Sequence, residues 1–190
     1  CVTGKSVPQG GIRGRTEATG LGTYYGLREA VSNVEDMAKL GLETGMEGKT
    51  LVVQGLGNVG YYAAKFCTEE GGAKLIGVAE YEGSIYKESG IDLEQLMAHR
   101  KETGSILGFE GATDLPFREA ALELECDILI PAALENQITA ENAPNIKAKI
   151  SGEAANGPVT ADAEKILDEK GKHSKTKVLR QKPTQGESDN

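Results

Sequence analysis

The chain has 190 residues, enough for one domain with a substantial core. Its formal net charge of −8 makes nonspecific nucleic-acid binding a poor expectation, and no apolar run approaches the roughly 18 residues of a membrane span. Cys1, Cys67 and Cys126 are odd in number and far apart, and His99 and His173 are the only imidazoles, so no disulfide framework, metal site or catalytic triad is expected.

Residues 1–14 carry Gly4, Gly10, Gly11 and Gly14 and are broken by Pro8, so they read as an irregular, hinge-like lead-in. Thr16 to Leu40 reads as one long helix, with Leu21, Tyr24, Tyr25, Leu27, Val31, Val34, Met37 and Ala38 on a mostly apolar face. Next come a strand over 50–54, a helix over 58–70, a strand over 74–79 and a short strand at Ser84–Tyr86. Asp92 is placed to cap a helix running to Lys101, and 103–118 reads as loop. Cys126–Pro131 and Lys147–Ser151 read as strands, and Thr160 caps a last helix to Lys170. The alternation predicts an α/β domain over 15–171 with a mainly parallel, doubly wound sheet.

The end of the chain breaks the pattern. A further apolar strand and helix are expected after Gly171, but from Lys172 onward five basic residues stand against two acidic ones, and only Val178 and Leu179 are apolar. Too little surface is available there to offset the entropy of ordering, so 172–190 is expected to be a disordered basic tail, leaving the sheet truncated at its C-terminal side. The cysteine usage fits a reducing compartment. A cytoplasmic protein is expected, with a mitochondrial one left open, because the chain opens on Cys1 rather than Met and reads as a piece of something longer.

One stretch carries chemistry. The apolar run Leu51-Val52-Val53 leads into Gly55-x-Gly57-x-x-Gly60, and a helical run beginning Tyr61-Tyr62-Ala63-Ala64 follows. Strand, glycine turn and helix in that order make a Rossmann-like dinucleotide-binding unit. Gly55 permits the tight turn, Gly57 lets the backbone approach a pyrophosphate, and Gly60 lets helix and strand pack closely. The N–H groups at the helix start, those of Asn58 and Val59 included, then face the phosphates. A second apolar run, Leu75 to Ala79, ends at Glu80, twenty residues beyond Gly60, where the ribose hydroxyls of NAD are read. A carboxylate at that point repels a 2′-phosphate, so NAD is expected in preference to NADP.

Several segments together resemble the glutamate/leucine/phenylalanine/valine dehydrogenases, and among them the glutamate dehydrogenases most closely. They are Gly10-Gly-Ile-Arg-Gly-Arg-Thr-Glu-Ala-Thr-Gly20, Val52-Val-Gln-Gly-Leu-Gly-Asn-Val-Gly60, Gly83-Ser-Ile85, Gly104-Ser-Ile-Leu-Gly-Phe109, Asp127-Ile-Leu-Ile-Pro-Ala-Ala133 and Asn156-Gly-Pro158. The resemblance implies oxidative deamination of L-glutamate to 2-oxoglutarate and ammonia, with hydride transfer to a nicotinamide cofactor, and a homo-oligomer, commonly a hexamer. It implies that this chain is the cofactor-binding part, preceded by a substrate domain with the catalytic lysines and aspartate. No residue here is therefore named as the catalytic acid or base.

Carried over residue by residue, Gly55, Gly57, Asn58, Val59 and Gly60 match the pyrophosphate turn, and Glu80 the adenosine-ribose position. Ala132 and Ala133 match a cofactor-ribose contact, Thr19 and Asn156 positions near the nicotinamide, and Arg15 an arginine near the substrate carboxylate. Without the family, Thr19 is a routine helix residue, Asn156 a turn former, Arg15 an exposed helix-start arginine, and the two alanines plain packing. One departure stands out: the family pattern Glu-Gly-Ala-Asn reads Glu153-Ala154-Ala155-Asn156 here, which strains the backbone unless φ stays negative. The competing expectation is a noncatalytic remnant that binds NAD or assembles with intact subunits.

Overall fold

In the computed structural model, which describes residues 5–169, six strands form one sheet in the order β4-β3-β2-β1-β5-β6. The strands are β1 (Thr50–Gln54), β2 (Lys74–Glu80), β3 (Gly83–Tyr86), β4 (Thr113–Asp114), β5 (Ile128–Pro131) and β6 (Ile150–Ser151). β2, β1, β5 and β6 run parallel, while β3 and β4 add an antiparallel edge. The fold is thus α/β with a mostly parallel sheet, as the alternation of elements predicts. The expected basic tail, and the end of the last helix at Lys170, lie outside the described residues.

Alternation along the strands splits the core in two. Leu51, Val53, Leu75, Val78, Ile128 and Ile130 face one side, under α1 (Ala18–Ala30), α3 (Asn58–Glu69) and α4 (Leu93–Thr103). Val52, Ile76, Ala79 and Leu129 face the other, covered by a 3-10 turn at Ala120–Glu123 and by α5 (Ala161–Glu169). Both faces are covered, and the central strands accordingly read as unbroken apolar runs.

The expected helix from Thr16 to Leu40 is two helices. α1 ends at Ala30, and α2 (Val34–Leu40) restarts after Asn33, whose side chain accepts hydrogen bonds from the N–H groups of Glu35 and Asp36 at 3.0 and 3.1 Å. An asparagine that satisfies the free donors of a new first turn competes with continuing the old helix, and here it wins. Asp92 and Thr160 cap α4 and α5 as expected, accepting from Gln95 and Ala163 at 2.9 and 3.3 Å. The 103–118 segment holds the two-residue β4, which pairs Asp114 with Ile85, and the 147–151 strand shrinks to Ile150–Ser151.

α1 lies against α3 at backbone distance. A Cβ on Gly20 would sit 2.6 Å from the Cβ of Tyr62 and 2.7 Å from the backbone N of Ala63, so only glycine allows this crossing. Tyr24 of α1 stacks on Phe66 of α3 at 6.2 Å, extending the contact. This packing sets the start of α1 beside the start of α3.

At the opposite end of the sheet, Asp127 staples three strands. Its carboxylate accepts from the N–H and Oγ1 of Thr50 at 3.0 and 3.1 Å and from Lys149 Nζ at 3.1 Å. Burial alone raises the pKa of this carboxyl, but the Thr50 and Lys149 donors together hold it below the ordinary value. A lowered folded-state pKa contributes stability above the unfolded value of about 3.9, and that stability is lost as pH falls through the folded value. Asp127→Asn is therefore expected to lower the melting temperature clearly at pH 7. The gap to the parent should narrow steadily below about pH 4, and a gap independent of pH would contradict this account.

Candidate functional site

The glycine turn lies at the carboxyl ends of β1, β2 and β5. Gly55 follows β1 with φ of 85°, in the left-handed region, and its N–H donates to the Ala79 carbonyl at 2.8 Å. The turn closes on itself: a Cβ on Gly60 would lie 1.7 Å from the Gly55 carbonyl oxygen and 3.2 Å from the Ala132 Cβ. A Cβ on Gly55 would lie 3.0 Å from the Cα of Ala133. Gly55 and Gly60 thus lack side chains because the turn lies against its own backbone and against Ala132 and Ala133, and the Ala132 N–H donates to the Gln54 carbonyl at 2.9 Å.

Gly57 differs from its two neighbours. It is exposed, its φ of −73° is ordinary, and a Cβ there would meet nothing within 4 Å. It precedes α3, whose first residues Asn58, Val59 and Gly60 have N–H groups with no carbonyl inside the helix to donate to. No side chain caps them. An open glycine before an uncapped helix start is a cradle for an anion.

Glu80 closes the other side. Its Oε1 accepts the Leu56 N–H from the middle of the glycine turn, and its Oε2 accepts the Tyr81 N–H at 3.2 Å. The second strand's end is thereby fastened to the turn. Arg100 of α4, which carries no motif, also belongs to the site: its Nη1 lies 3.1 Å from Glu80 Oε1 and its Nε 2.7 Å from Glu82 Oε1. Burial works against the Arg100 charge, but the two carboxylates more than offset it and hold its pKa above the ordinary value. Local charge therefore sums over one guanidinium and two carboxylates, not over Glu80 alone. A bridge holds α4 to α3, with the Tyr61 hydroxyl donating to Glu94 at 2.6 Å and Lys65 donating to the same oxygen at 3.0 Å.

The loops after β5 and β6 are zipped together. The N–H groups of Asn136 and Gln137 donate to the carbonyls of Gly157 and Pro158 at 3.0 and 2.8 Å. Asn156, next to this zipper, is exposed. Thr19 is exposed in the first turn of α1, one residue before the Gly20 contact with α3, and Arg15 is exposed in the turn ahead of α1. Among the described residues no hydrogen bond joins Arg15 or Asn156 to the glycine turn. Ala154 is unstrained: among the described residues Asn136 alone combines a side chain with positive φ, and the Ala154 N–H donates to the Pro131 carbonyl at 3.1 Å. No group of three or more His, Cys, Asp or Glu among the described residues is placed to hold a metal ion.

The family model for glutamate/leucine/phenylalanine/valine dehydrogenases matches residues 10–180. The chain belongs to this family. It is 53% identical over 171 residues to the mitochondrial glutamate dehydrogenase of Dictyostelium discoideum, a match covering 90% of this chain and 34% of that protein. It is 42% identical over 170 residues to the catabolic NAD-specific glutamate dehydrogenase RocG of Bacillus subtilis, covering 90% of this chain and 38% of the relative. Among solved structures, the Leu-bound hetero-hexameric glutamate dehydrogenase of Thermus thermophilus superposes with a TM-score of 0.74 at 32% identity, over 90% of this chain and 38% of that one. The chain thus spans little more than a third of the family members it matches.

Within the family frame, the segment Gly104 to Phe109 has a structural job. Leu107 covers Gly83, where a Cβ would lie 2.6 Å from Leu107 Cδ2. His99 bonds the Leu107 carbonyl at 2.9 Å and meets the Phe109 ring edge-on at 5.7 Å. The segment backs the β2–β3 hairpin that carries Glu80 and Glu82.

Proposed function

We propose that this chain is the cofactor-binding part of an NAD-dependent glutamate dehydrogenase, which converts L-glutamate to 2-oxoglutarate and ammonia. The observation that carries the reading is the cradle itself: an open Gly57, an uncapped helix start, and Glu80 fastened to the same turn. Asn58, Val59 and Gly60 offer N–H groups to the pyrophosphate. Glu80 offers the free acceptor capacity of Oε2 to the adenosine ribose, and Ala132 and Ala133 leave room for the chain of the cofactor. Bound NAD supplies the hydride acceptor. Thr19 and Asn156 are assigned to the nicotinamide end and Arg15 to the substrate carboxylate, as the family resemblance implies; α1, which carries Thr19, packs on α3 at Gly20. The catalytic lysines and aspartate belong to a substrate domain outside this chain, for which residues 1–14 are the lead-in to a cofactor domain over 15–171.

NAD is favoured over NADP because Glu80 and Glu82 outnumber Arg100, leaving an excess negative charge where a 2′-phosphate would sit. The Bacillus subtilis relative, named NAD-specific, agrees with this preference. A homo-oligomer, a hexamer by analogy with the family, is the proposed assembly; the Thermus thermophilus relative is described as a hetero-hexamer. Cys67 and Cys126 are buried free thiols, both pushed up to about 12 by burial, and they suit a reducing setting such as the cytoplasm or the mitochondrial matrix. No described helix is long and apolar enough to cross a membrane.

The test is a fluorescence titration of the 190-residue chain with NADH and, separately, NADPH; the absence of tryptophan leaves the cofactor signal clean. Saturable binding with NADH at least tenfold tighter is expected. Equal affinity would refute the NAD preference, and no binding of either would refute the site.

A further inference from the structure

β1 ends on Gln54, which shares the Val52 face of the sheet and is 5% exposed. Its Nε2 donates to Gln137 Oε1, in the loop after β5, at 2.7 Å. Its Oε1 is buried and has no partner among the described residues. Turning the amide over would set two oxygens face to face, because Gln137 commits its own Nε2 to the Glu135 carbonyl at 3.1 Å. A buried amide with one end unpaired adds little to stability, since the lone oxygen offsets what the single hydrogen bond contributes. An apolar side chain of the same length would serve the core as well. The glutamine calls for a reason outside the core.

The bond leads to a node. The Gln137 N–H donates to the Pro158 carbonyl at 2.8 Å, and the Gln137 carbonyl accepts from Asn142 Nδ2 at 2.8 Å. Gln137 thus joins the end of β1 to the loop after β5, and that loop to the one after β6. Gln54 stands one residue before Gly55, where the glycine turn begins. Pro158 stands two residues after Asn156, assigned to the nicotinamide end. We propose that the Gln54–Gln137 amide pair is a positioning link, which holds the Asn156 loop at a fixed separation from the glycine turn so that both ends of a dinucleotide are bound at once. The inference rests on the dinucleotide reading of the site and adds the coupling between its two ends. A ligand that spans two loops binds more weakly when one of them must be ordered on its arrival. A ligand that touches the glycine turn alone is indifferent to that ordering.

The experiment compares the 190-residue chain with Gln54→Met, Gln137→Met and the double variant, in which methionine keeps the length of the side chain and drops the amide. NADH is titrated by its fluorescence, ADP-ribose, which lacks the nicotinamide, by displacing NADH, and each variant is melted. Each single substitution is expected to weaken NADH roughly three- to tenfold, as for one neutral hydrogen bond, and to leave ADP-ribose unchanged. The double variant should bind NADH as Gln137→Met does, because the link can be broken only once. Gln54→Met should melt no lower than the parent. Unchanged NADH affinity in Gln54→Met overturns the proposal. Equal losses for NADH and ADP-ribose overturn it too, because they report a displaced glycine turn. A Gln54→Met melt well below the parent makes the amide a strut of the core and also overturns it. Losses that add in the double variant do the same, by giving the two glutamines separate roles. If the parent chain binds no NADH, the dinucleotide reading itself fails, and this inference with it.

Discussion

Gly60→Ala is expected to unfold the glycine turn and abolish cofactor binding, whereas Gly57→Ala is expected to abolish binding and leave the fold intact. At Gly60 the new methyl would sit 1.7 Å from the Gly55 carbonyl oxygen, a backbone atom that cannot swing aside. Relief requires the start of α3 to move off β1, and a forced methyl of this kind costs about 3 kcal/mol or more. For a chain of this size that is a fall of roughly 6–12 °C in melting temperature. At Gly57 the methyl meets nothing within 4 Å and the backbone is ordinary, so stability should change by less than about 1 kcal/mol. The methyl would nonetheless stand where a pyrophosphate must approach the N–H groups of α3. Thermal melts beside NADH titrations separate the two effects. Full NADH affinity in Gly57→Ala would show that the phosphates do not lie on this turn.

If Glu80 selects NAD as proposed, Glu80→Gln should yield a site that hardly discriminates between NADH and NADPH. Glutamine keeps an oxygen for the Leu56 N–H, so the turn remains fastened to β2, but it removes the charge. A hydrogen bond between a ribose hydroxyl and a carboxylate contributes about 1.5–3 kcal/mol, so NADH should bind roughly ten- to a hundredfold more weakly. NADPH should hold its affinity or gain, because one of two carboxylates facing Arg100 is neutralised and the balance of charge shifts toward the guanidinium. The quantity to measure is the ratio of the two dissociation constants. A parallel fall for both cofactors would mean that Glu80 acts through the shape of the turn, not through its charge.

Much of the glycine turn was readable because its determinants are local. Three glycines at fixed spacing between an apolar run and a helical run specify a backbone path, and the close contacts at Gly55 and Gly60 show why each lacks a side chain. The caps at Asp92 and Thr160 were legible for the same reason, a short polar side chain reaching a donor within three residues. Asn33 caps α2 by the same kind of short reach, but the apolar face of Thr16–Leu40 runs across it, so a reading by periodicity passes through the break. The two-residue strand β4 had no local signature, since it exists only through its partner strand, whereas β6 was readable within Lys147–Ser151 and only its length was set by pairing with β5.

The sequence by itself determined the strand–turn–helix unit, the α/β order and the family, because turn geometry, capping and binary pattern act over a few residues. Tertiary structure alone decided what surrounds Glu80. Arg100 reaches it across twenty positions of chain, and α4 comes to rest there only after packing on α3 and against β2. That packing set the charge balance around Glu80, drew the Glu82 side chain inward and left Tyr81 exposed. An ion pair between distant residues leaves no periodicity to read, because its energy depends on distance and burial that exist only in the folded chain.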